Sequence, residues 1–111
     1  MKCTAALTLC CLALPATAGE VEEGRTIAHD QLRGNCLACH RAPADPTAQT
    51  EANLGPALKD VARRFPDRTT LRAQVADPSV RNPRTLMPLY GRHRILTDRE
   101  IDRVVDYLLS L

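Results

Sequence analysis

The sequence is poor in aromatic side chains, with one Phe, two Tyr and no Trp among its 111 residues. Aromatic residues dominate most protein cores, so a chain of this size with so few of them needs another source of apolar volume. Charge of one sign is also missing, since 15 basic residues face 13 acidic ones in no long block. This balance excludes the basic stripe of a nucleic-acid binder.

No apolar run in the sequence reaches the roughly 20 residues that a membrane-spanning helix needs. The apolar run of residues 4–14 is too short to span a membrane; it follows Lys2 and precedes the small residues Ala16, Thr17 and Ala18. A positive start, a short apolar stretch and a small-x-small site are typical of a cleavable signal peptide. We therefore expect residues 1–18 to be a signal peptide, residues 19–111 to form one domain without a membrane anchor, and the mature protein to lie in the periplasm.

Cysteine is scarce beyond the leader. Cys3, Cys10 and Cys11 would leave with it, so Cys36 and Cys39 remain. The residues before Cys10 and Cys11 lack the small side chain expected at a lipoprotein cleavage site, which argues against lipid attachment. With only two cysteines left, an exported domain of this size needs a covalent staple other than a set of disulfides.

The two remaining cysteines belong to the stretch Cys36-Leu37-Ala38-Cys39-His40, a C-x-x-C-H motif. This motif is typical of c-type haem attachment: two thiols form thioethers with one porphyrin edge, and the following histidine ligates the iron. A zinc site would need two more ligands, and His29 and His93 have no suitable spacing. A redox dithiol would need a preceding strand, which the pattern lacks. The sequence therefore predicts one haem c, which would also supply the missing core volume.

The hydrophobic pattern predicts an all-α domain of four to five helices and no strand. The last helix is the clearest, because Thr97 and Glu100 form a capping box before an apolar stripe of Ile101, Val104, Val105, Leu108 and Leu109. An entry helix is predicted with Val21, Ile27, Ala28, Gln31 and Leu32 on its inner face. The predicted helices span residues 20–33, 57–65, 67–76 with Asp67 as N-cap, and 97 onwards.

Iron bound by His40 needs a ligand on its other face or an open position. Met87 is the only methionine after the leader, and Pro88 fixes the backbone directly behind it. We expect Met87 to be the sixth ligand, because a His/Met pair is a standard cytochrome c ligation that raises the reduction potential. His93 is the next candidate and His29 a weaker one. A six-coordinate site passes an electron but leaves no position for oxygen, which argues against a catalytic or gas-sensing haem.

The motif at 36–40, the pair Gly55-Pro56, the pair Met87-Pro88 and the terminal helix together resemble class I cytochromes c. The resemblance implies that the Pro56 carbonyl accepts a hydrogen bond from Nδ1–H of His40 and fixes the ring. It also implies that the first and last helices cross closely, with Gly24 against Tyr107. The alternative for Tyr107 is an ordinary residue at the core boundary.

Residues 34–40, 53–58, 87–93 and 95–97 resemble more narrowly the SoxX family, the monohaem subunits of the periplasmic SoxAX complex. Ala52 stands where a Gly is expected, and residues 41–53 carry no partner-binding signature. The resemblance implies a heterodimer with a SoxA-like cytochrome subunit whose reactive cysteine takes up thiosulfate, an L-cysteine S-thiosulfotransferase type of activity. This chain would accept the electrons and pass them to a soluble cytochrome. The alternative is a free-standing periplasmic electron shuttle.

Four arginines surround Met87 in the sequence: Arg81, Arg84, Arg92 and Arg94. Exposed charges usually contribute little, so a solvated loop or pairing with the haem propionates is one interpretation. The other is a docking rim that speeds the encounter with an acidic partner.

Overall fold

The computed structural model describes residues 14–111, and within this part the chain is all-helical with no strand. Its four α-helices are α1 (Ala18–His29), α2 (Val61–Arg64), α3 (Arg68–Ala76) and α4 (Asp98–Leu109), and 3-10 turns lie at Cys36–Ala38 and Pro78–Val80. The predicted all-α class is confirmed. No helix among residues 14–111 is both long and apolar enough to cross a membrane. Most of the predicted leader lies outside the described residues.

Helix α4 forms as the sequence predicts. The Thr97 hydroxyl accepts from the Glu100 amide, and the Glu100 carboxylate accepts from the Thr97 amide, so two N–H groups at the start of the helix are satisfied. The apolar stripe of α4 then faces the core, where Ile101 and Val105 are fully buried. This helix is the centre of the fold, since α1, α2 and α3 all pack against it.

Helices α1 and α4 cross at Gly24. A Cβ atom at Gly24 would lie 1.8 Å from the Arg103 carbonyl oxygen and 2.9 Å from Cβ of Tyr107. Only a glycine permits this separation. Tyr107 is 1% exposed, so it is a core residue and not a boundary residue. The predicted contact of Gly24 with Tyr107 is confirmed.

The predicted length of the entry helix is wrong at its end. Helix α1 begins after Thr17, which forms a capping box with Glu20, and it ends at His29 and not at residue 33. The chain turns there because the Asp30 carboxylate accepts the Leu32 amide at 2.8 Å, and the Gly34 amide donates to the Ile27 carbonyl. As a result Leu32, expected on the inner face together with Gln31, is 94% exposed.

The helix predicted over residues 57–65 is also shorter than expected. Asp60 adopts a left-handed conformation with φ 51°, so regular helix is confined to Val61–Arg64. By contrast, α3 follows the prediction, because the Asp67 carboxylate caps it by accepting the amides of Thr69 and Thr70.

The loop of residues 41–55 is fastened to the α1–α4 crossing by a buried carboxylate, that of Asp45, whose side chain is 1% exposed. One oxygen accepts from the amide and hydroxyl of Thr47. The other accepts from the Tyr107 hydroxyl at 2.7 Å and lies 3.2 Å from Nε2 of His29 and 3.3 Å from Nε of Arg25. Burial alone would raise the pKa of Asp45, but the hydrogen bonds and the Arg25 charge outweigh it and lower the pKa.

We expect Asp45→Asn to reduce the free energy of unfolding at pH 7 by about 2–4 kcal/mol, since it leaves the groups around the carboxylate without their charged partner. The sign of the pH dependence follows from the lowered pKa. The stabilisation is complete above the unfolded-state pKa near 3.8 and is lost as the pH falls through the lower folded-state value. Urea denaturation of both proteins at pH 7, 5, 4 and 3 checks this. A difference between them that does not shrink below pH 4 would contradict it.

Candidate haem-binding site

The C-x-x-C-H motif forms one tight turn after Asn35, which adopts a left-handed conformation with φ 48°. The amides of Cys39 and His40 both donate to the Cys36 carbonyl, at 3.2 and 3.0 Å. Cys36 and Cys39 are half-buried and not joined by a disulfide. Burial raises the pKa of the Cys36 thiol to about 11, so as a free thiol it is a weak nucleophile at neutral pH.

The imidazole of His40 is oriented by the backbone of the Gly55-Pro56 pair. Nδ1 of His40 lies 2.7 Å from the Pro56 carbonyl oxygen. A carbonyl oxygen only accepts, so Nδ1 carries a proton, and in the neutral ring Nε2 then carries the lone pair. This is the tautomer and ring orientation that a metal-ligating histidine requires.

Gly55 leaves the space in which the His40 ring lies. A Cβ atom at this position would be 2.2 Å from Cε1 of the ring and 2.6 Å from Nδ1 and Nε2. The Gly55 amide donates to the Cys39 carbonyl at 2.8 Å, and this hydrogen bond joins the segment around Gly55 to the turn of residues 36–40. The sequence Gly55-Pro56 thus serves two purposes: close approach at the glycine and an acceptor at the proline.

Met87 lies half-buried at the edge of the core cluster against which Cys36 also packs. Its amide donates to the Thr85 hydroxyl at 3.1 Å, a contact within its own loop. Large apolar side chains are exposed beside two of the site residues: Leu54, beside Gly55, is 77% exposed and Leu86, beside Met87, is 89% exposed. An apolar group such as a porphyrin would remove such side chains from water.

The two alternative ligands have different surroundings from those of Met87. His29 is in α1 and its Nε2 is engaged with the buried carboxylate of Asp45. His93 is exposed, in a turn where its amide donates to the Leu89 carbonyl. His29 is thus occupied by Asp45 and by the edge of the Tyr107 ring, with centroids 6.1 Å apart, and His93 is exposed, whereas Met87 is half-buried with no partner for its thioether among the described residues.

Two residues near the site have roles that the sequence did not reveal. Tyr90 is 5% exposed and its hydroxyl donates to the Gly34 carbonyl, beside Cys36. Burial and the neighbouring thiols raise the pKa of Tyr90, so the hydroxyl stays protonated. Asp45 anchors the loop between His40 and Gly55. In both cases the partners that tie the residue to another part of the fold are distant in sequence, and the only local signal is a polar aromatic or a turn-forming carboxylate.

The residues present fit a covalently bound haem. The thiols are unpaired and close together, His40 presents Nε2 with its other nitrogen satisfied, and Gly55 opens the space for the ring. Met87, half-buried against the core, carries a thioether, the soft ligand that pairs with histidine in cytochromes c.

Comparison with known proteins agrees with this geometry. The family model "Cytochrome c" matches residues 21–111. The crystal structure of SoxXA from P. pantotrophus contains a chain that superposes with a TM-score of 0.73 at 26% sequence identity, over 87% of this chain and 82% of that one. An uncharacterized lipoprotein of Aquifex aeolicus (strain VF5) is 33% identical over 76 residues. That match covers 68% of this chain but 36% of the lipoprotein, so the chain spans about a third of that relative.

Members of the matched family transfer electrons through a covalently bound haem c. The match extends over nearly all of the described residues, and the motif at 36–40 lies within it. The chain therefore belongs to the cytochrome c family, as a class I cytochrome similar to SoxX.

Proposed function

We propose that this chain is the monohaem, electron-accepting subunit of a periplasmic thiosulfate-oxidising complex of the SoxAX type. One haem c would be held by Cys36 and Cys39 through thioethers, with His40 and Met87 as the residues that would bind its iron. The similarity to a chain of the SoxXA crystal structure, over 87% of this chain, is the observation that carries the proposal beyond electron transfer in general. The partner would be a SoxA-like cytochrome, and the final acceptor a soluble cytochrome.

The haem would supply reversible one-electron transfer at its iron. The protein's own part is to hold the ligands rigidly. The hydrogen bond from Nδ1 of His40 to the Pro56 carbonyl keeps the imidazole in one orientation and makes Nε2 a stronger donor. The Met87 thioether favours the reduced state relative to an imidazole, which suits a subunit that receives electrons.

Cysteine chemistry would belong to the partner. Once Cys36 and Cys39 are thioethers, residues 19–111 contain no other thiol. Thiosulfate could then be joined only to a cysteine thiolate of another chain. The new S–S bond releases two electrons, which this subunit would accept one at a time and pass to the soluble cytochrome. A complex of two subunits, one carrying the reactive cysteine and the other accepting electrons, is consistent with this cysteine content.

Export by a signal peptide is part of the proposal, since thioether attachment and an oxidising compartment both lie outside the cytoplasm. Cleavage after Ala18 would remove Thr17 and with it the capping box of α1. Glu20, Glu22 and Glu23 would remain near the new start, where the helix dipole favours carboxylates.

The arginines around Met87 differ in their surroundings. Arg92 pairs with Asp77 at 3.7 Å, whereas Arg81, Arg84 and Arg94 form no salt bridge with any residue between 14 and 111. Their charges are therefore available to haem propionates or to an acidic partner surface, the two interpretations that the sequence leaves open.

Affinity purification of the protein matured in the periplasm of its host tests the proposal. We expect a second c-type cytochrome with a modified cysteine to co-purify. The matched control is Cys36→Ala/Cys39→Ala, which cannot attach haem and should retain no partner. Recovery of a lone monohaem protein at low and high salt alike would instead indicate the free-standing shuttle.

A further inference from the structure

Tyr90 joins the Met87 segment to the haem-attachment turn. It follows Met87 by three residues, it is 5% exposed, and its hydroxyl donates to the Gly34 carbonyl. Gly34 precedes Cys36 by two residues. One buried hydrogen bond thus connects the two stretches that would carry the sixth ligand and the first thioether.

The Gly34 carbonyl, which accepts the hydrogen bond from Tyr90, lies in a turn held by backbone hydrogen bonds. The Gly34 amide donates to the Ile27 carbonyl at 3.1 Å, and the Asn35 amide donates to the Asp30 carbonyl at 2.9 Å. The turn of residues 30–35 is therefore held against the end of α1 on both sides of the Gly34 carbonyl. A contact with this carbonyl fixes the position of Tyr90 relative to the core.

Besides the packing of Met87 against the core, the Met87 segment has hydrogen bonds to other elements only on its C-terminal side. The Tyr90 carbonyl accepts from the amides of Ile95 and Leu96, and the Gly91 amide donates to the Ala76 carbonyl at 2.9 Å. Before Met87 the hydrogen bonds are local: Met87 to Thr85, and Thr85 to Asn82. Tyr90 is therefore the first residue after Met87 whose side chain is tied to a distant part of the chain.

We infer that Tyr90 is a positioning residue that holds the Met87 segment closed over the site. This inference rests on the proposed function, because it takes Met87 to be the sixth ligand. Displacement of the segment would break the bond to Gly34 and leave a buried carbonyl without its donor. The hydroxyl of Tyr90 thereby limits how often Met87 gives way to another ligand.

The test is Tyr90→Phe, which removes the hydroxyl and keeps the ring. Added imidazole binds ferric haem only where it displaces the native sixth ligand, so its apparent affinity reports the fraction of open protein. We expect imidazole to bind the ferric Tyr90→Phe holoprotein about tenfold more tightly than the wild type, equivalent to about 1.4 kcal/mol. An affinity equal to that of the wild type would overturn the inference.

Tyr107→Phe is the matched control. Tyr107 is equally buried and its hydroxyl also makes one hydrogen bond, but to Asp45 at the α1–α4 crossing. This variant should lose stability and keep the wild-type affinity for imidazole. Equal tightening in both variants would show a general loosening of the fold and would also overturn the role of Tyr90.

A measurement on the wild type keeps the inference testable if Tyr90→Phe does not fold. Saturating imidazole should speed hydrogen exchange at the Gly91 amide, which depends on the closed segment, and leave the amides at the α1–α4 crossing unchanged. Unchanged exchange at Gly91 would contradict the inference. The absorption band of iron–thioether bonding in the wild type distinguishes a wrong ligand assignment from a wrong role for Tyr90. If the band is absent, Met87 is not the ligand and both proposals fail. If the band is present and the tests above fail, only the role of Tyr90 is wrong.

Discussion

Gly24→Ala is expected to lower the free energy of unfolding of the holoprotein by at least about 3 kcal/mol, a large part of the stability of a small domain. The added methyl group would lie 1.8 Å from the Arg103 carbonyl oxygen, and neither backbone can move aside unless α1 and α4 separate. Because these two helices carry most of the buried core, separation would expose Ile27 and Val105 to water. Equilibrium urea denaturation followed by circular dichroism measures the effect.

Thr26→Ala serves as the control for this prediction. Thr26 is an exposed residue of the same helix, and its hydroxyl only donates to the Glu22 carbonyl one turn earlier. The change should alter stability by no more than about 0.5 kcal/mol. If Gly24→Ala unfolded at the same urea concentration as Thr26→Ala, the close crossing of α1 and α4 would not exist in the folded protein.

Met87→His is expected to lower the reduction potential by roughly 0.2 V, a substantial share of the span of about 0.8 V that axial ligands control. Imidazole favours ferric iron relative to a thioether, and the variant stays six-coordinate, so the change isolates the identity of the ligand. The weak absorption band of iron–methionine bonding in the ferric protein should disappear at the same time. Spectroelectrochemical titration records both quantities in one experiment.

His93→Ala is the matched control for the ligand assignment, because His93 is the next candidate in sequence and lies exposed six residues after Met87. Its removal should leave the potential and the band unchanged. A wild-type potential retained in Met87→His but lost in His93→Ala would show that His93 is the sixth ligand.

The elements predictable from the sequence are those specified by local chemistry. The capping box at Thr97 and the stripe behind it specify α4 completely, and the carboxylate of Asp67 specifies the start of α3. The all-α class follows from the same pattern. The contact of Gly24 with Tyr107 came from the resemblance to class I cytochromes c and not from spacing.

Of the features that the sequence did not show, the end of the entry helix depends on a local turn, and the others depend on contacts between distant residues. The entry helix stops at His29 because the turn after it is fixed by Asp30 and Gly34, although the apolar pattern continues to Leu32. Asp45 lies in a loop that appears featureless, and its partners are in α1 and α4. The same holds for Tyr90, whose acceptor lies 56 residues away.

The contact between His40 and Pro56 could be predicted only through the family resemblance. The pair Gly55-Pro56 has no local meaning, and its role is implied only by the resemblance of the chain to cytochromes c. In the structure Nδ1 of His40 lies 2.7 Å from the carbonyl oxygen of Pro56. The ligand role of His40 and Met87 remains a proposal, which the potential and the spectra above can test.

We propose that Cys36 and Cys39 together hold one haem covalently, and the other roles proposed for this chain depend on that attachment. The most direct test is the intact mass of the protein matured in the periplasm, measured after denaturation and extraction with acidified organic solvent. We predict the mass of residues 19–111 plus one haem, with no thiol left to react with an alkylating reagent. The bare polypeptide mass with two reactive thiols would contradict the account.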